Sequence, residues 1–478
     1  MSPLVESGPT LTVPLWINGN EEYTYATYDV LSPHTSKLLW KACSANKDHT
    51  LRTIVAADRA FPGWGRSAVR HRQEILTRVA DSLEAQTTDF ADYMLTEVGI
   101  KFGAQFLIPL AVRFLRNLVA TVVEACESIP IIEEGETVSM LLKEPHGVVL
   151  GILPPDAPFA FGIRSAATAI VTGNTAILLA PASAPRCYWA IGKLFRDAGL
   201  APGVLNVISC CCENAEAMSN TLIQNPRVKH MNFTGNAFLG RSIAGICARD
   251  EKECLIDVQG QRSMIVSSDA DVMKAVNACL MGSYLRGCQI CILADRLIVH
   301  RDIAKVFLST LIDAFAQPGP HLKSRLSLSR ANPKRPFGGL MGGLFLITQR
   351  LPICPPKTDP IDQLQLPGGR APSAPAWMKD LFGPWLSYNI VATDEEACEI
   401  ANKVSCGQPI GIFTECGKRG WRIQNNLPLA AAHINRMENG SPPSRYSYGK
   451  IPNESYCLFS AGRAMDEFLE AKIISAKD

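Results

Sequence analysis

Apolar and polar residues follow two different periods along the chain. In the first 125 residues, three stretches place apolar side chains three and four positions apart: TLRTIVAADRAFPGW, HRQEILTRVADSLEAQ and LAVRFLRNLVATVVEAC. That spacing puts the apolar residues on one face of an α-helix. The pattern predicts three amphipathic helices that pack against a core.

From Gly147 onward the pattern changes to short apolar runs, each followed by a helical segment. The runs are VVLGIL, TAILLA, VLNVIS and HMNFT, and a second series begins near Cys254 with SMIVSS, a helix over 270–284 and RLIVH. Strands that alternate with helices form parallel sheets with helices on both faces. We therefore expect an α/β fold with two doubly wound parallel-sheet domains.

Other segments depart from this alternation. SIPIIEEG and TVSMLLKE, separated by Gly-Glu, predict a protruding β-hairpin. The region from Ala316 to Pro375 loses its periodicity and is crowded with proline and glycine, which predicts an irregular excursion. Order returns at LFGPWLSYNIV, and FLEAKIISA predicts a final strand.

Composition and charge narrow the class of protein. The chain is 47% hydrophobic and 19% charged, as soluble globular proteins are, and its net charge of +2 argues against nucleic acid or an acidic membrane surface as a partner. The most apolar stretch, 165–185, is broken by Gly173 and Asn174 and predicts a helix followed by a buried strand, not a membrane span. The N-terminus has no apolar core typical of a secretory signal.

Cysteine and histidine usage point to a cytoplasmic protein without a metal. The sixteen cysteines have no disulfide-framework spacing, so we expect reduced thiols that fill apolar space. The eight histidines show no convincing ligand spacing with one another or with cysteine, so we predict no metal site.

Several motifs occur in a fixed order. The first is LLKEPHGVVLGILPPDAP, and FTGNAFLG, DVQGQRSMIV and GCQICILADRLIVH follow it. In this order they resemble the aldehyde dehydrogenase superfamily over nearly the whole chain, most closely the branch that acts on salicylaldehyde and vanillin. The resemblance implies a Rossmann-like domain that once bound a cofactor, a catalytic domain with an irregular insert at 316–375, and oligomerisation elements. The Rossmann-like domain comprises 1–123 and 143–253, and the catalytic domain comprises 254–430. The oligomerisation elements comprise 124–142 and 431–478.

The resemblance also places the catalytic positions. Cys291 matches the family's nucleophile, and a thiolate is suited to attack on a carbonyl carbon. Asp257 stands where the family has its general-base glutamate, and Asp156 stands where the family has an asparagine that donates to the oxyanion. Alternatively, Cys291 is a buried cysteine without a catalytic role. Cys288 stands where the family has glycine and forms a C-x-x-C pair with Cys291, which is either a redox couple or a neutral Gly-to-Cys replacement.

The two aspartates suggest a different chemistry. An ionised Asp156 would repel an oxyanion. Ionising two carboxyls in one apolar cleft is also energetically unfavourable, because both negative charges lose water and repel each other. One of them is expected to keep its proton and to act as an acid beside its partner base. The alternative interpretation is that Asp156 is a neutral replacement in a pocket that no longer catalyses a reaction.

The cofactor positions differ from the family pattern as well. Dinucleotide sites need a polar grip on the ribose and a close backbone approach to the pyrophosphate. Neutral residues replace the ribose-binding lysine and its acidic partner, and both hydroxyls are missing from the phosphate turn. The positions in question are Ala180, Ser183, Gly235, Asn236 and Gly240, with Asp380 and Phe382 in the segment that faces the nicotinamide ribose. These changes predict that no cofactor binds, with NAD(P) as the alternative.

Three functions follow from these observations. The favoured hypothesis is a cofactor-independent enzyme that isomerises, cyclises or dehydrates an apolar carbonyl compound in specialised metabolism, using Asp156, Asp257 and Cys291. The second is NAD(P)-dependent oxidation of an aromatic or aliphatic aldehyde to its acid. The third is a catalytically inactive scaffold or partner subunit. In each case the family resemblance implies a homodimer or homotetramer, and the enzymatic hypotheses imply a small-molecule substrate.

Overall fold

The chain forms two units in the computed structural model, each built around its own parallel sheet. The first unit holds the described residues up to Val258 together with the C-terminal segment, and the second holds those from Ser263 to Asn435. The structure describes residues 11–33, 35–99, 106–126, 129–134, 137–258, 263–286, 296–316, 345–348, 385–404, 410–427, 432–435 and 465–477.

The first unit contains thirteen described strands and eight described α-helices. Its strands are β1 Thr12–Val13, β2 Leu15–Ile17, β3 Asn20–Glu22, β4 Thr27–Leu31, β5 Leu38–Cys43, β6 Ile129–Glu134, β7 Thr137–Pro145, β8 Val148–Ile152, β9 Thr175–Ala180, β10 Leu205–Ser209, β11 Val228–Gly235, β12 Glu253–Val258 and β19 Leu469–Lys477. Its helices are α1 Lys47–Gly65, α2 Val69–Ala85, α3 Thr87–Glu97, α4 Ile108–Cys126, α5 Pro158–Val171, α6 Pro185–Asp197, α7 Ala215–Gln224 and α8 Ala237–Arg249.

The seven-stranded sheet of this unit has the order β12-β11-β8-β9-β10-β2-β3. Its first five strands are parallel, and the β2–β3 hairpin closes one edge in antiparallel pairing. The four apolar runs predicted as strands are β8, β9, β10 and β11, so that prediction is confirmed. Because the strands are parallel, the loops after β8, β9, β11 and β12 meet at one edge of the sheet, where ligands bind in this class of fold.

The second unit has a six-stranded sheet in the order β15-β16-β14-β13-β17-β18, with every pairing parallel. The predicted doubly wound α/β fold with two parallel sheets is therefore confirmed. Its strands are β13 Ser263–Val266, β14 Arg296–His300, β15 Phe345–Thr348, β16 Trp385–Val391, β17 Ile410–Phe413 and β18 Ala432–Ile434. Its described helices are α9 Val272–Arg286, α10 Arg301–Ala316, α11 Asp394–Val404 and α12 Gly417–Asn425.

The predicted hairpin is the pair β6 and β7, and the predicted last strand is β19. β7 pairs antiparallel with both of them, in the order β19-β7-β6. The three predicted N-terminal helices are α1, α2 and α4. Helix α3 was not predicted, because its buried face includes a carboxylate, Glu97, which accepts hydrogen bonds from Trp40 Nε1 and from the backbone N–H groups of Arg186 and Cys187.

The apolar stretch 165–185 divides into the end of α5 and strand β9, as predicted, and both elements are buried on all sides. Among the residues that the structure describes, no helix is both long enough and apolar enough to cross a membrane. None of the described cysteines forms a disulfide, and six of them are buried, in agreement with their predicted role as apolar fillers: Cys43, Cys187, Cys210, Cys247, Cys279 and Cys398.

Candidate active site

Asp156 lies in the loop that leads from β8 into α5, at the carboxyl edge of the seven-stranded sheet. Two prolines precede it, and Pro158 begins the helix, where its fixed φ suits the first turn. The residue is only 9% exposed, and its Oδ2 has no hydrogen-bond partner. Burial raises the pKa of Asp156 to about 7, and its own backbone N–H opposes that change only in part.

Asp257 lies near the end of β12 beside Thr234 of β11, and it has a cationic partner that the sequence analysis missed. Arg164, on α5, places both Nη atoms 3.4 Å from Asp257 Oδ2, and it donates to Thr234 Oγ1 at 2.8 Å. The side chains of Arg164 and Asp257 are 5% and 4% exposed. Asp257 is therefore held as a buried carboxylate by a guanidinium.

This pairing changes the interpretation of the two carboxyls. The sequence-based expectation is that one of Asp156 and Asp257 keeps its proton, because two carboxyls in one apolar cleft do not both ionise readily. In the structure, burial alone accounts for the raised pKa of Asp156, and Arg164 provides the counter-charge for Asp257. A signal for Arg164 was present in the sequence: it is the single charged residue in the apolar helix PFAFGIRSAATAIV, and a fully buried arginine needs an anionic partner.

Tyr188 holds the loop that carries Asp156. Its hydroxyl donates to the carbonyl of Pro154 at 3.0 Å, from a fully buried position on α6. Burial, followed by the negative charge of Asp156, raises the pKa of Tyr188 well above its usual value. The phenol therefore stays neutral and fixes the backbone beside the buried carboxyl.

The phosphate-facing turn joins β11 to α8. Gly235 ends the strand, and Asn236 caps the helix by accepting a hydrogen bond from Leu239 N at 2.8 Å. A Cβ on Gly240 would lie 2.5 Å from Val258 Cγ1, so only glycine lets α8 lie this close to β12. The same close packing of helix on strand is the role of the last glycine in dinucleotide-binding turns.

This turn fits a bound pyrophosphate, although neither serine nor threonine is present. The cap leaves the N–H groups of Ala237 and Phe238 without helical acceptors, and the first turn contains no acidic residue. Backbone N–H groups and the positive end of the helix dipole bind phosphate without hydroxyl groups. The ribose positions keep no charge: Ala180 is buried at the end of β9, and Ser183 is exposed just before α6. The Gly235–Gly240 turn therefore offers backbone donors that suit a pyrophosphate, and Ala180 and Ser183 offer only neutral contacts to a ribose.

The other sequence-based candidates are not placed by the structure. Cys291 and its neighbour Cys288 lie outside the described residues, as do Asp380 and Phe382. Of the candidate positions, Asp156, Asp257 and the Gly235–Gly240 turn are brought to one edge of the sheet. The loop after β10 also ends at this edge and carries the half-buried Cys211 and the exposed Cys212.

Similar proteins of known activity match the chain over almost its full length. The chain is 27% identical to a vanillin dehydrogenase of Pseudomonas fluorescens over 475 residues, covering 98% of both proteins. It is 28% identical to a salicylaldehyde dehydrogenase of Pseudomonas putida over 478 residues, covering 96% of this chain and 95% of the relative.

Solved structures share the fold. A salicylaldehyde dehydrogenase from Pseudomonas putida G7, complexed with salicylaldehyde, superposes with a TM-score of 0.83 at 24% identity, over 98% of each chain. PnpE in complex with nicotinamide adenine dinucleotide superposes with a TM-score of 0.81 at 22% identity, over 97% of each chain.

These relatives overturn two of the sequence-based predictions. A cofactor-independent isomerase, cyclase or dehydratase that uses Asp156, Asp257 and Cys291 is wrong, because the curated relatives are named as dehydrogenases, which transfer electrons. The prediction that no cofactor binds is wrong for the same reason. It gave weight to the side chains lost at Ala180 and Ser183, whereas backbone N–H groups at a helix N-terminus, as in the Gly235–Gly240 turn, can bind phosphate without those side chains.

The family itself is defined over most of the chain. The model of the aldehyde dehydrogenase family matches residues 16–325 and 369–474. These segments include the seven-stranded sheet, the phosphate-facing turn and both buried aspartates. The chain belongs to the aldehyde dehydrogenase family.

Proposed function

We propose that this protein oxidises an aromatic aldehyde to its carboxylic acid with NAD or NADP. The observation that carries the proposal is the similarity to vanillin and salicylaldehyde dehydrogenases over 98% and 96% of the chain. The retained turn at Gly235–Gly240 supports it, because that turn offers backbone donors to a pyrophosphate. Ser183 adds no carboxylate that repels a 2′-phosphate, so both NAD and NADP are candidate cofactors.

The proposed chemistry begins with Cys291, whose role comes from the family resemblance. Its thiolate adds to the aldehyde carbon and forms a thiohemiacetal oxyanion. A nicotinamide cofactor, held at its pyrophosphate by the Gly235–Gly240 turn, would supply the acceptor for the hydride that leaves that carbon. The resulting Cys291 thioester is then hydrolysed by water, which releases the acid and restores the thiol.

Asp156 replaces the asparagine that donates to the oxyanion in other family members. A protonated carboxyl carries an O–H donor and can take the place of the amide, whereas the ionised form would repel the oxyanion. Burial raises the pKa of Asp156 to about 7, and its unpartnered Oδ2 is available to donate when it is protonated. We assign Asp156 as the oxyanion donor in its protonated state.

Asp257 occupies the position of the family's general base, and its contacts suggest how it acts. Arg164 and Thr234 orient its carboxylate, which keeps the anionic form that a base needs to accept a proton from the hydrolytic water.

The first experiment assays the purified chain with vanillin or salicylaldehyde and each cofactor, and follows the absorbance of the reduced nicotinamide. Wild-type protein is expected to reduce at least one cofactor, Cys291→Ala to reduce neither, and Cys416→Ala, which changes an exposed thiol elsewhere, to behave as wild type. No reduction of either cofactor by wild-type protein, together with no binding in a calorimetric titration, would rule out the proposed oxidation.

The oligomerisation elements expected from the resemblance form the β19-β7-β6 sheet. Ile473 is 66% exposed on one face of β19, while Ile474 and its register partner Met140 are 45% and 40% exposed on the other. Apolar side chains on both faces of a small sheet favour burial against another chain. We propose that a second copy of this protein covers them, in a homodimer or homotetramer within the cytoplasm.

A further inference from the structure

A second group of polar side chains lies at the opposite edge of the seven-stranded sheet. His146 comes just before β8, His230 is the third residue of β11, and Glu253 begins β12. These three strands are adjacent, and His230 is the direct register partner of Glu253. His230 and Gly235 are five residues apart on one strand, or about 16 Å, so this cluster is separate from the candidate active site.

The three side chains converge on a small volume. His146 Nε2 is 3.4 Å from Glu253 Oε2, and the rings of His146 and His230 are stacked with centroids 5.0 Å apart. One nitrogen or oxygen from each residue lies within 4.8 Å of the others. The carbonyl oxygen of Glu467 is 3.3 Å from His146 Nε2 and adds a fourth possible donor.

His230 is the observation that points to a ligand. Its side chain is 1% exposed, and neither ring nitrogen has a hydrogen-bond partner. Leaving a buried polar group without a partner is unfavourable, so a native structure normally provides one. A ring nitrogen without a hydrogen-bond partner keeps its lone pair available for a ligand. Neutral imidazole is the form that binds metal ions.

We propose that His146, His230 and Glu253 bind a Zn²⁺ ion, with the carbonyl oxygen of Glu467 or a water molecule in the fourth position. Two imidazoles and one carboxylate are a typical donor set for zinc, whereas Mg²⁺ and Ca²⁺ prefer oxygen donors alone. Tetrahedral bonds of about 2.0–2.1 Å place ligand atoms about 3.4 Å apart. His146 Nε2 and Glu253 Oε2 already lie at that distance, 3.4 Å apart, and the 69% exposed side chain of Glu253 can follow an ion toward His230.

The site would tie the C-terminal segment to the sheet. Phe468 packs its ring against His230 at a centroid distance of 5.0 Å, and its carbonyl accepts from Asn174 Nδ2 at 2.8 Å. The next residue, Leu469, begins β19. A metal bound by His146, His230 and Glu253 would therefore stabilise the start of β19, the strand proposed to mediate oligomerisation. The proposed role of the metal is structural.

The test uses the full-length protein after treatment with a chelator. Zn²⁺ is titrated by calorimetry, and Co²⁺ serves as a spectroscopic probe because cysteine ligands produce a thiolate-to-cobalt charge-transfer band and a histidine and carboxylate site does not. Glu253→Gln and His146→Gln remove ligands without altering the buried His230. His71→Gln, an exposed histidine on α2, is the matched control.

We expect wild-type protein and His71→Gln to bind Zn²⁺ with the same affinity and without a thiolate band for Co²⁺. Glu253→Gln is expected to bind at least about tenfold more weakly, and the double variant with His146→Gln to lose this site. Zn²⁺ is also expected to slow amide exchange in residues 465–477 of the wild type and of His71→Gln, but not of the double variant. Equal affinity in wild type and double variant, a thiolate band, or no binding at micromolar Zn²⁺ would overturn the proposal.

Discussion

Asp156 illustrates how burial sets the chemistry of a single side chain. In water its carboxyl would be ionised at neutral pH, but its burial without a charged partner raises its pKa to about 7. The same carboxyl is therefore a hydrogen-bond donor below about pH 7 and an anion above it. In the proposed role of oxyanion donor, the protonated form would favour catalysis and the ionised form would oppose it.

Asp156→Asn provides a test of that role through the pH dependence of activity. The amide donates at every pH, whereas wild-type Asp156 loses its donor as pH rises above about 7. The ratio of kcat/KM for the variant to that for wild type is expected to be flat below pH 7 and to rise about tenfold per pH unit above it. Taking the ratio removes the contribution of the Cys291 thiolate, which both proteins share. A ratio that stays constant from about pH 6 to pH 9 would contradict the assignment.

The same substitution is expected to change stability in a pH-dependent way. The folded pKa of Asp156 lies above the unfolded value of 3.8, so between these values the folded protein binds more protons, and stability falls as pH rises from about 4 to about 7. At about 1.4 kcal/mol per pH unit, the cost above pH 7 is about 4 kcal/mol. Urea unfolding should show that the advantage of Asp156→Asn grows over that range and then levels off. An advantage independent of pH would argue against a buried, protonated carboxyl.

The Arg164–Asp257 pair offers a second test at the residue scale. Arg164→Met leaves Asp257 buried without its guanidinium, which is expected to lower the free energy of unfolding by about 3–5 kcal/mol. Adding Asp257→Asn should restore much of that loss, because it removes the uncompensated charge. Arg116→Met, which breaks an exposed pair with Glu84, is the control and should cost less than about 1 kcal/mol. Equal losses in Arg164→Met and Arg116→Met would contradict a buried ion pair.

At the scale of elements, the docking of α8 on β12 positions the phosphate-facing turn. Helix α8 contains two glycines with different surroundings. A methyl group on Gly240 would meet Val258 Cγ1 at 2.5 Å, while one on Gly245 would have no neighbour within 4 Å. The position of the helix N-terminus, and with it the backbone donors, therefore depends on Gly240 and not on Gly245.

These two glycines make a matched pair of variants. Gly240→Ala is expected to lower stability by about 1–3 kcal/mol through overpacking, and to weaken binding of the cofactor because the helix N-terminus shifts. Gly245→Ala is expected to raise stability by about 0.5–1 kcal/mol through helix propensity, with cofactor affinity unchanged. Thermal unfolding and calorimetric titration of NAD measure both effects. Unchanged cofactor binding in a folded Gly240→Ala variant would show that this turn does not hold the cofactor.

At the scale of the whole molecule, the proposed assembly depends on the exposed apolar residues of the β19-β7-β6 sheet. Ile473→Lys places a charge in the face proposed to be covered by a second copy, so it is expected to dissociate the oligomer into monomers, as measured by sedimentation velocity. Met273→Lys changes an apolar residue of similar exposure (56%) on α9 and should leave assembly intact. Identical sedimentation of Ile473→Lys and wild type would place the interface elsewhere.

Local patterns in the sequence were enough to predict most of the fold. The periods of 3.6 and 2 residues arise from the geometry of single helices and strands, so the parallel strands, the hairpin and most of the helices of the first unit could be recognised without any contact between distant residues. The motifs then indicated the family and the positions of Asp156 and Asp257. Helix α3 was the exception, because a buried carboxylate, Glu97, interrupts its apolar face.

The tertiary structure alone decided what those positions can do. Arg164 meets Asp257 across 93 residues of sequence, and His146 and His230 stack across the strands of a sheet, so no spacing in the sequence indicates either contact. The protonation of Asp156 depends on how completely the fold removes water from it. The backbone N–H donors of the Gly235–Gly240 turn likewise cannot be recognised by comparing its side chains with the family motif. Sequence motifs therefore determined which residues are candidates, while burial and long-range contacts determined their charge and their partners.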